Sequence, residues 1–311
     1  MADAVIKANA LDFAYGDRKV LNNIEFTVSE GEIYGLVGAD GAGKTTLLQL
    51  AAGQLLPAAG SIRLFNTPAG DPVLRDDIAY MPQGFGLYPD LSVQENLEFF
   101  ADLHGLPARQ ANLRIKALLQ RTGLAGFENR RGGNLSGGMM QKLALACALV
   151  HEPRVMFLDE PTTGVDPLSR RAFWQLLDGV RAEGVTILYA TANMDEAERC
   201  DRVGFLEAGR LRRQGTPLEL AQSDDAVLVG VLGPEVRRYR HEIAGLPGVQ
   251  LAFPVGLRLN VWLEREQSLE TFQKALDRLS NKLVVRREEP TLHDATLREL
   301  TRMERRIHAG P

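Results

Sequence analysis

The chain has 311 residues, of which 45% are hydrophobic and 24% charged. This composition is typical of a folded globular protein and excludes a disordered one. At this length we expect a large core and two domains. The formal net charge of −4 argues against general nucleic-acid binding, which depends on Lys and Arg to neutralise phosphates.

The two cysteines and the lack of long apolar runs favour a cytoplasmic protein. Cys147 and Cys200 both lie in stretches that we predict to be helical, and they form neither a disulfide framework nor a CxxC metal pattern. The N-terminal sequence lacks the apolar core of a secretory signal. Apolar runs such as residues 143–150 fall well short of the roughly 18 residues that a membrane-spanning helix needs. We therefore expect any membrane association to be peripheral, on the cytoplasmic face.

The first half of the chain predicts a βα unit followed by a helical insertion. Residues 5–63 alternate and then run strand, glycine-rich loop and helix, through GEIYGLVG and ADGAGKTTLLQLAAG. From about residue 92 to 134 apolar residues recur at helical spacing, as in VQENLEFFADL. We interpret residues 84–150 as an inserted helical subdomain.

Two short apolar runs then predict buried parallel strands. They are VMFLD at 155–159 and GVTILYAT at 184–191, and the segment between them predicts a crossover helix. The alternation predicts an α/β fold with a parallel sheet and helices on both faces.

Near residue 223 the pattern changes. Alternating runs such as VLVGVLG and RLNVWLE are followed or separated by helical ones such as SLETFQKALDRL. We predict a nucleotide-binding domain over 1–222 and a small α+β domain over 223–311.

The sequence GADGAGKTT at 38–46 fits a P-loop, placed after a predicted strand and opening a helix. Glycines let backbone N–H groups turn toward phosphate oxygens, Lys44 neutralises the β- and γ-phosphates, and Thr45 offers a hydroxyl to Mg²⁺. The predicted ATP-binding residues here are Gly38, Ala39, Asp40, Gly41, Ala42, Gly43, Lys44, Thr45 and Thr46.

The sequence LDEP ends the strand at 155–159 with two carboxylates. We predict that Asp159 holds Mg²⁺ through water and that Glu160 orients or deprotonates the attacking water. An apolar run that ends in Asp-Glu is also common where a strand enters a solvated turn. The P-loop upstream favours the catalytic interpretation, with Lys44 and Glu160 as catalytic residues.

The stretch LSGGMMQKLALACALV at 135–150 resembles the signature motif of the ABC ATPases, and it occurs here in family order with the P-loop and LDEP. The resemblance implies a P-loop NTPase core with an antiparallel β subdomain and an inserted helical subdomain. It also implies that the motif binds the γ-phosphate of the nucleotide held by an opposite subunit. The residues assigned to this role are Leu135, Ser136, Gly137, Gly138, Met139 and Gln141.

Three further positions match the family one by one. Tyr15 is where the family stacks an aromatic ring on adenine. Gln83 resembles the residue that touches Mg²⁺ and senses the membrane subunit, so we also predict it to be catalytic. Asp166, in TTGVDP, resembles the dimer-interface aspartate that the family more often places in SGLDP.

The family ordinarily has a histidine that contacts the γ-phosphate, but here the segment is YATANMDEAERC and the corresponding residue is Ala192. Without the hydrogen bond from this histidine, about 2–4 kcal/mol of transition-state stabilisation would be lost unless another donor replaces it. We expect slowed hydrolysis and consider Asn193 as a weaker donor. The chain resembles the degenerate N-terminal half of a tandem or heterodimeric pair.

Residues 225–311, including EEPTLHDATLRELT, resemble the regulatory extension of drug and antibiotic exporters. The resemblance implies a motor that binds ATP and Mg²⁺, pairs with a second ABC ATPase domain as a homodimer, heterodimer or tandem, and drives an integral membrane permease. No nucleic-acid partner is expected. Two alternatives stay open: a soluble ABC ATPase on ribosomes or another partner, and a regulatory half with little hydrolysis.

Overall fold

A computed structural model describes residues 4–265 and 269–308 of the chain. The remaining residues of the two predicted domains, 1–3, 266–268 and 309–311, lie outside the described part. The chain divides into two compact units, residues 1–214 and 215–311. No helix of the described residues combines the length and the apolar character needed to cross a membrane.

The first unit contains two sheets and the helices that cover them. Its strands are β1 (Ala4–Tyr15), β2 (Arg18–Ser29), β3 (Ile33–Val37), β4 (Ala59–Leu64), β5 (Thr67–Pro68), β6 (Ile78–Met81), β7 (Val155–Asp159), β8 (Thr186–Thr191), β9 (Arg202–Glu207) and β10 (Arg210–Gly215). Its α-helices are α1 (Lys44–Ala51), α2 (Val93–Leu103), α3 (Ala108–Thr122), α4 (Gly137–Leu149), α5 (Pro167–Ala182) and α6 (Met194–Ala197).

The six-stranded sheet has the order β10-β9-β3-β8-β7-β6. Its central strands β3, β7 and β8 are buried along their whole lengths, as their continuous apolar sequences predict. They pair in parallel, β3 with β8 and β8 with β7, so that their carboxyl ends lie at one edge of the sheet. The α/β fold with a parallel sheet is confirmed.

The second sheet is antiparallel, with the order β2-β1-β4-β5. Its buried face shares one hydrophobic core with α1 and the parallel sheet, which includes Ile6, Leu11 and Leu47. The helices α2, α3 and α4 fall within the predicted helical insertion. Ser92 and Glu95 form a capping box that fixes the start of α2.

Cys147 lies in α4 as predicted, whereas the helical prediction for Cys200 is wrong. The helix α6 ends at Ala197, and the amide of Cys200 closes a turn by donating to the Ala197 carbonyl at 3.1 Å. The turn is required because β9 begins at Arg202. Both cysteines are free and buried.

The second unit is an α+β structure around one antiparallel sheet of order β12-β13-β11-β14. Its elements are α7 (Pro217–Ala221), β11 (Ala226–Leu232), α8 (Arg240–Ala244), β12 (Val249–Val255), β13 (Arg258–Glu264), α9 (Leu269–Leu279), β14 (Val284–Arg287) and α10 (Leu292–His308). Because α7 packs against α10, it belongs to this unit, and the boundary lies before α7 rather than after it.

Alternate residues of the strands in this unit enter two cores on opposite faces of the sheet. One core contains Ile243 of α8 and Phe272 of α9. The other contains Trp262, whose indole N–H donates to the Asp294 carbonyl of α10 at 3.1 Å. Helices therefore cover both faces of this sheet.

Two histidines of the first unit stack on each other near the start of β6. The rings of His104 and His151 lie parallel, with centroids 3.7 Å apart. His151 Nε2 lies 2.9 Å from the Ile78 carbonyl. Burial, followed by the charge of His104, lowers the pKa of His151 to about 4. The folded chain therefore holds His151 in its neutral form at neutral pH.

This arrangement predicts a loss of stability on acidification. The histidine side chain has a pKa of about 6.5 in the unfolded chain. Between about pH 6.5 and pH 4, His151 is therefore protonated in the unfolded chain but not in the folded one. The contribution of neutral His151 to the free energy of unfolding is complete above about pH 6.5, and it decreases as the pH is lowered toward about 4. With allowance for the solvent around a partly exposed ring, the free energy of unfolding should drop by about 1 kcal/mol more between pH 7 and pH 5 in the native chain than in His151→Gln. Urea unfolding at both pH values measures this difference, and parallel pH dependences in the two proteins would contradict it.

Candidate nucleotide-binding site

The carboxyl edge of the parallel sheet brings the P-loop and the acidic pair together. The loop 38–43 leaves β3 and enters α1 at Lys44, while Asp159 ends β7. Gly38 N donates to the Thr191 carbonyl of β8 at 3.3 Å, and Glu160 N donates to the Ala190 carbonyl at 3.0 Å. Both segments are thus attached to the same strand end.

The P-loop turns into α1 through Gly43, whose φ of 109° is a conformation that favours glycine. Among the described residues no side-chain cap hydrogen bond forms at the start of α1, so the first N–H groups of this helix lack that partner. Such a helix start favours an anion. Asp40 is exposed at the tip of the loop, and its Oδ1 lies 3.8 Å from Lys44 Nζ.

Lys44 is 5% exposed and lies at the centre of the site. Its ammonium donates to the carbonyls of Gly38 at 2.8 Å and Ala39 at 3.1 Å. It also forms an ion pair with Glu160, with 2.9 Å between Nζ and Oε1. The sequence places these two residues more than a hundred positions apart, and the sheet brings them into contact.

Glu160 has a positive φ of 49°, which is uncommon for a residue other than glycine. Thr163 Oγ1 donates to its Oε2 at 3.2 Å. Strained backbone conformations of this kind persist where the surrounding structure fixes them, often at functional sites.

Asp159 fits a role at a magnesium ion. It is 1% exposed, and its Oδ1 has no hydrogen-bond partner among the described residues. Its Oδ2 accepts from the Tyr80 hydroxyl at 3.3 Å. Burial raises the pKa of Asp159, and the hydroxyls of Thr45 and Tyr80 oppose that rise. A buried carboxylate oxygen beside a threonine hydroxyl matches the oxygen ligands that Mg²⁺ prefers.

Tyr15 and Gln83 flank this group of residues. Tyr15 is the last residue of β1, is half exposed, and its hydroxyl lies 3.5 Å from Gln49 Oε1 of α1. Gln83 is exposed in the turn that follows β6, the strand next to β7. The other P-loop residues differ in exposure: Thr45 is exposed, whereas Ala42 and Thr46 are buried.

The signature stretch begins α4, where Ser136 is the N-cap and its hydroxyl accepts from Met139 N at 3.4 Å. Ser136 is exposed and Gly137 is partly exposed. Gly138 is buried against the first turn of α5, where a Cβ would lie 2.3 Å from Ser169 Oγ and 2.6 Å from Ser169 Cβ.

Two of the predicted signature residues lie on the buried side of α4 in the structure. Gln141 is fully buried, and its amide donates to the Pro161 carbonyl at 2.8 Å. Leu135 is 7% exposed. A helix that packs against β6, α2 and α5 must bury one side, and Gln141 lies on that side. Its contact links the signature helix to the loop after Glu160.

Asp166 is the N-cap of α5. Its carboxylate accepts from Leu168 N and Ser169 N, each at 3.0 Å. The side-chain hydroxyl of Ser169, and to a smaller extent its backbone N–H, lower the pKa of Asp166 by hydrogen bonding to its carboxylate. Its carboxylate therefore shapes the start of α5, a local role that the sequence pattern DPxS itself predicts.

Sequence reasoning missed one buried carboxylate near the site, Glu196 of α6. It is 2% exposed and accepts hydrogen bonds from the hydroxyls of Thr162, Tyr189 and Thr191. The hydroxyl groups of Tyr189 and Thr191 within the buried strand TILYAT were a signal that a buried acceptor lies nearby. Ala192, which follows Thr191 in the chain, is exposed.

A parallel sheet with a glycine-rich loop, a buried lysine and an acidic pair at its carboxyl edge defines a P-loop nucleotide-binding fold. The family described as ABC transporter matches residues 21–163. Together with the similarities that follow, this match shows that the chain belongs to the ABC transporter family, as one of its ATP-binding domains.

Two curated relatives and one solved structure illustrate the membership. The probable multidrug ABC transporter ATP-binding protein YbhF of Escherichia coli is 45% identical over 227 residues, covering 72% of this chain and 39% of that protein. The chain thus spans about two fifths of the length of YbhF. The Nod factor export ATP-binding protein I of Burkholderia lata is 40% identical over 248 residues, covering 78% of this chain and 82% of that protein. The structure of cbiO1 from Clostridium perfringens, part of the ABC transporter complex cbiONQ, is 33% identical with a TM-score of 0.65, covering 70% of this chain and 90% of that one.

The contact between Gly138 and Ser169 predicts an unusual response to alanine. Alanine normally stabilises a helix by about 1 kcal/mol relative to glycine. At Gly138 its Cβ would meet Ser169 Cβ, which cannot rotate away, and overpacking of this kind costs about 1–3 kcal/mol. Gly138→Ala should therefore lower the thermal midpoint.

Gly137→Ala is the matched control, because a Cβ at Gly137 meets nothing within 4 Å. It should leave the midpoint unchanged or raise it. Ser169→Gly should recover part of the loss in the Gly138→Ala background. Equal midpoints for the two single alanine variants would show that α4 and α5 do not pack this closely.

Proposed function

We propose that this chain is the ATP-binding and ATP-hydrolysing subunit of an ABC exporter, which dimerises on ATP and drives a separate membrane permease. The observation that carries the proposal is the contact of Lys44 with Glu160 beside buried Asp159, at the start of an uncapped helix. A phosphate-binding lysine and a carboxylate that can act as a base occur together where a helix start favours anions.

In this proposal the P-loop N–H groups and Lys44 bind the ATP phosphates, and Glu160 orients and deprotonates the water that attacks the γ-phosphate. Thr45, Asp159 and Gln83 would hold the Mg²⁺ ion, which neutralises charge on the phosphates. Tyr15 supplies a ring for adenine. The buried position of Lys44 and Asp159 strengthens their electrostatic effect on the phosphates.

The exposed start of α4 supports a second, intersubunit contact. The helix α4 has 13 residues, and Ser136 and Gly137 at its N-terminus reach the surface. A helix N-terminus favours an anion, so this one could bind the γ-phosphate of a nucleotide on an opposing domain. Asp166 lies close by through the packing of Ser169 on Gly138. Closure of two such domains on ATP would bury both surfaces.

Ala192, in the position where the family ordinarily has a histidine, predicts slower ATP hydrolysis at this site. An alanine methyl group cannot donate a hydrogen bond to a γ-phosphate. Its neighbour Asn193 uses its side-chain oxygen as the N-cap of α6, accepting from Asp195 N at 2.9 Å. The side-chain amide nitrogen of Asn193 is a donor that this segment could offer in place of a histidine. Ala192 therefore also favours the second candidate, a regulatory half that binds ATP with little turnover.

The turnover of MgATP by the purified chain tests the proposal. We expect slow hydrolysis that Glu160→Gln reduces by at least about 100-fold, because the base is lost. Ala192→His should raise kcat by about 10- to 100-fold by restoring a donor to the γ-phosphate. Asn193→Ser, which keeps an N-cap but shortens the donor, should lower kcat.

ATP binding without turnover that depends on Glu160 would reject the motor and leave the regulatory half. A native rate that none of the three variants changes would place hydrolysis at a contaminant.

An exposed aromatic cluster supports the permease contact. Tyr88 and Phe99 are 46% and 37% exposed, and their ring centroids are 4.6 Å apart. Leu103, which like Phe99 belongs to α2, is 49% exposed. The cluster follows the turn that holds Gln83. Exposed aromatic groups are enriched at protein interfaces. The names of the relatives, multidrug transport and Nod factor export, support export as the direction.

The chain should therefore be recovered with an integral membrane protein after affinity purification from detergent-solubilised cells. Tyr88→Ser together with Phe99→Ser should reduce this recovery at least about fivefold, because the loss of two anchors weakens an interface by several kcal/mol. Leu56→Ser, at a residue 78% exposed outside the cluster, is the control. Recovery with ribosomes instead would favour the soluble alternative.

A further inference from the structure

Glu196 carries a set of contacts that the proposed chemistry does not use. Its Oε2 accepts from Tyr189 at 3.1 Å and from Thr191 Oγ1 at 2.6 Å. Its Oε1 accepts from Thr162 Oγ1 and lies 3.4 Å from Arg170 Nε. Each of these neighbours is a donor, and a carboxylate with two oxygens has the acceptors that they need.

These contacts join segments that are distant in sequence. Thr191 ends β8, and its Oγ1 also accepts from Asn193 N at 2.9 Å, so Glu196 fixes the segment that contains Ala192. Thr162 is two residues after Glu160 and is 3% exposed. The carboxylate of Glu196 therefore holds the segment 191–193 and the loop 161–163 against each other.

The contact with Glu196 is one of several that hold the loop after Glu160. Its residues are held in three different ways: the Pro161 carbonyl accepts from Gln141, the Thr162 hydroxyl donates to Glu196, and the Thr163 hydroxyl donates to Glu160 itself. Glu196 connects the middle of the loop, at Thr162, to the end of β8, at Thr191. A loop with its ends fixed but its middle free would let Glu160 leave its strained conformation.

Arg170 extends the same network to α5. It lies in the first turn of that helix, four residues after the N-cap Asp166. Its contact with Glu196 ties the start of α5 to the segment that contains Ala192. Buried carboxylates with several partners are costly to remove because the partners are then left unsatisfied.

We propose that Glu196 is a positioning residue for ATP hydrolysis, which holds Glu160 and the Ala192 segment in register through Thr162 and Thr191. The inference rests on the proposed function, because it concerns the rate of the same reaction. It predicts an effect on turnover that is separate from nucleotide binding, since the side chains named above as contacts of the Glu196 carboxylate all lie outside the P-loop.

The experiment compares Glu196→Gln with Asp195→Asn, an exposed neighbour on the same helix. Glutamine keeps the size of the side chain but replaces one acceptor oxygen with a donor that faces donors. We expect kcat for MgATP to fall about 10- to 100-fold, because small displacements of a catalytic group have effects of this size. KM and the Kd of a fluorescent ATP analogue should change by less than about twofold, and Asp195→Asn should match the native chain.

A double-variant cycle separates positioning from general damage. Thr162→Val should reduce kcat to a similar extent. The variant with both changes should be no slower than the slower single variant, because both break the same contact. Backbone amide exchange should accelerate at residues 160–164 and 190–194 in Glu196→Gln, and not in Asp195→Asn.

An unchanged kcat in Glu196→Gln, or parallel losses in kcat and nucleotide affinity, would overturn the inference while leaving the ATPase intact. A native chain without turnover that depends on Glu160 would instead reject the proposed function. In that case the exchange measurement still decides the inference: unchanged protection at 160–164 overturns it, and selective loss of protection supports the coupling of the two segments.

Discussion

Two carbonyl groups of β8 hold the site together. The Thr191 carbonyl accepts from Gly38 N at the start of the P-loop, and the Ala190 carbonyl accepts from Glu160 N. On either side, the parallel register pairs Val37 with Thr191 and Asp159 with Ala190. The P-loop and the acidic pair, which follow β3 and β7, are therefore both held at the end of β8. A shift of β3 or β7 by a single residue would turn the side chains of that strand to the opposite face.

The same strand also explains why the site has a polar core beneath it. Tyr189 and Thr191 place hydroxyls inside an otherwise apolar layer, where an unpaired polar group is costly. Glu196 returns from α6 to accept both. The carboxylate thus satisfies the strand and orders the adjoining loop at the same time, so stability and the geometry of the site share one set of hydrogen bonds.

The features that the sequence predicts well are local ones. Gly43 and Lys44 are close in the chain, as are Asp159 and Glu160, and strand burial follows from continuous apolar runs. Contacts across the chain are harder to infer. The partner of Gln141 is 20 positions away, and Thr162 lies 34 positions from Glu196. The motif could not show that Gln141 faces inward, because that depends on how α4 packs.

The ion pair between Lys44 and Glu160 has a consequence for how a phosphate enters. Any phosphate that binds Lys44 must compete with a carboxylate already 2.9 Å away, so the lysine exchanges one anion for another. The net attraction is then the difference between two electrostatic interactions, and it is smaller than the interaction of the phosphate with Lys44 alone. The same exchange releases Glu160 from its cation. In the proposed reaction, its carboxylate would then be available to hold a water molecule at the moment when a phosphate is in place to be attacked.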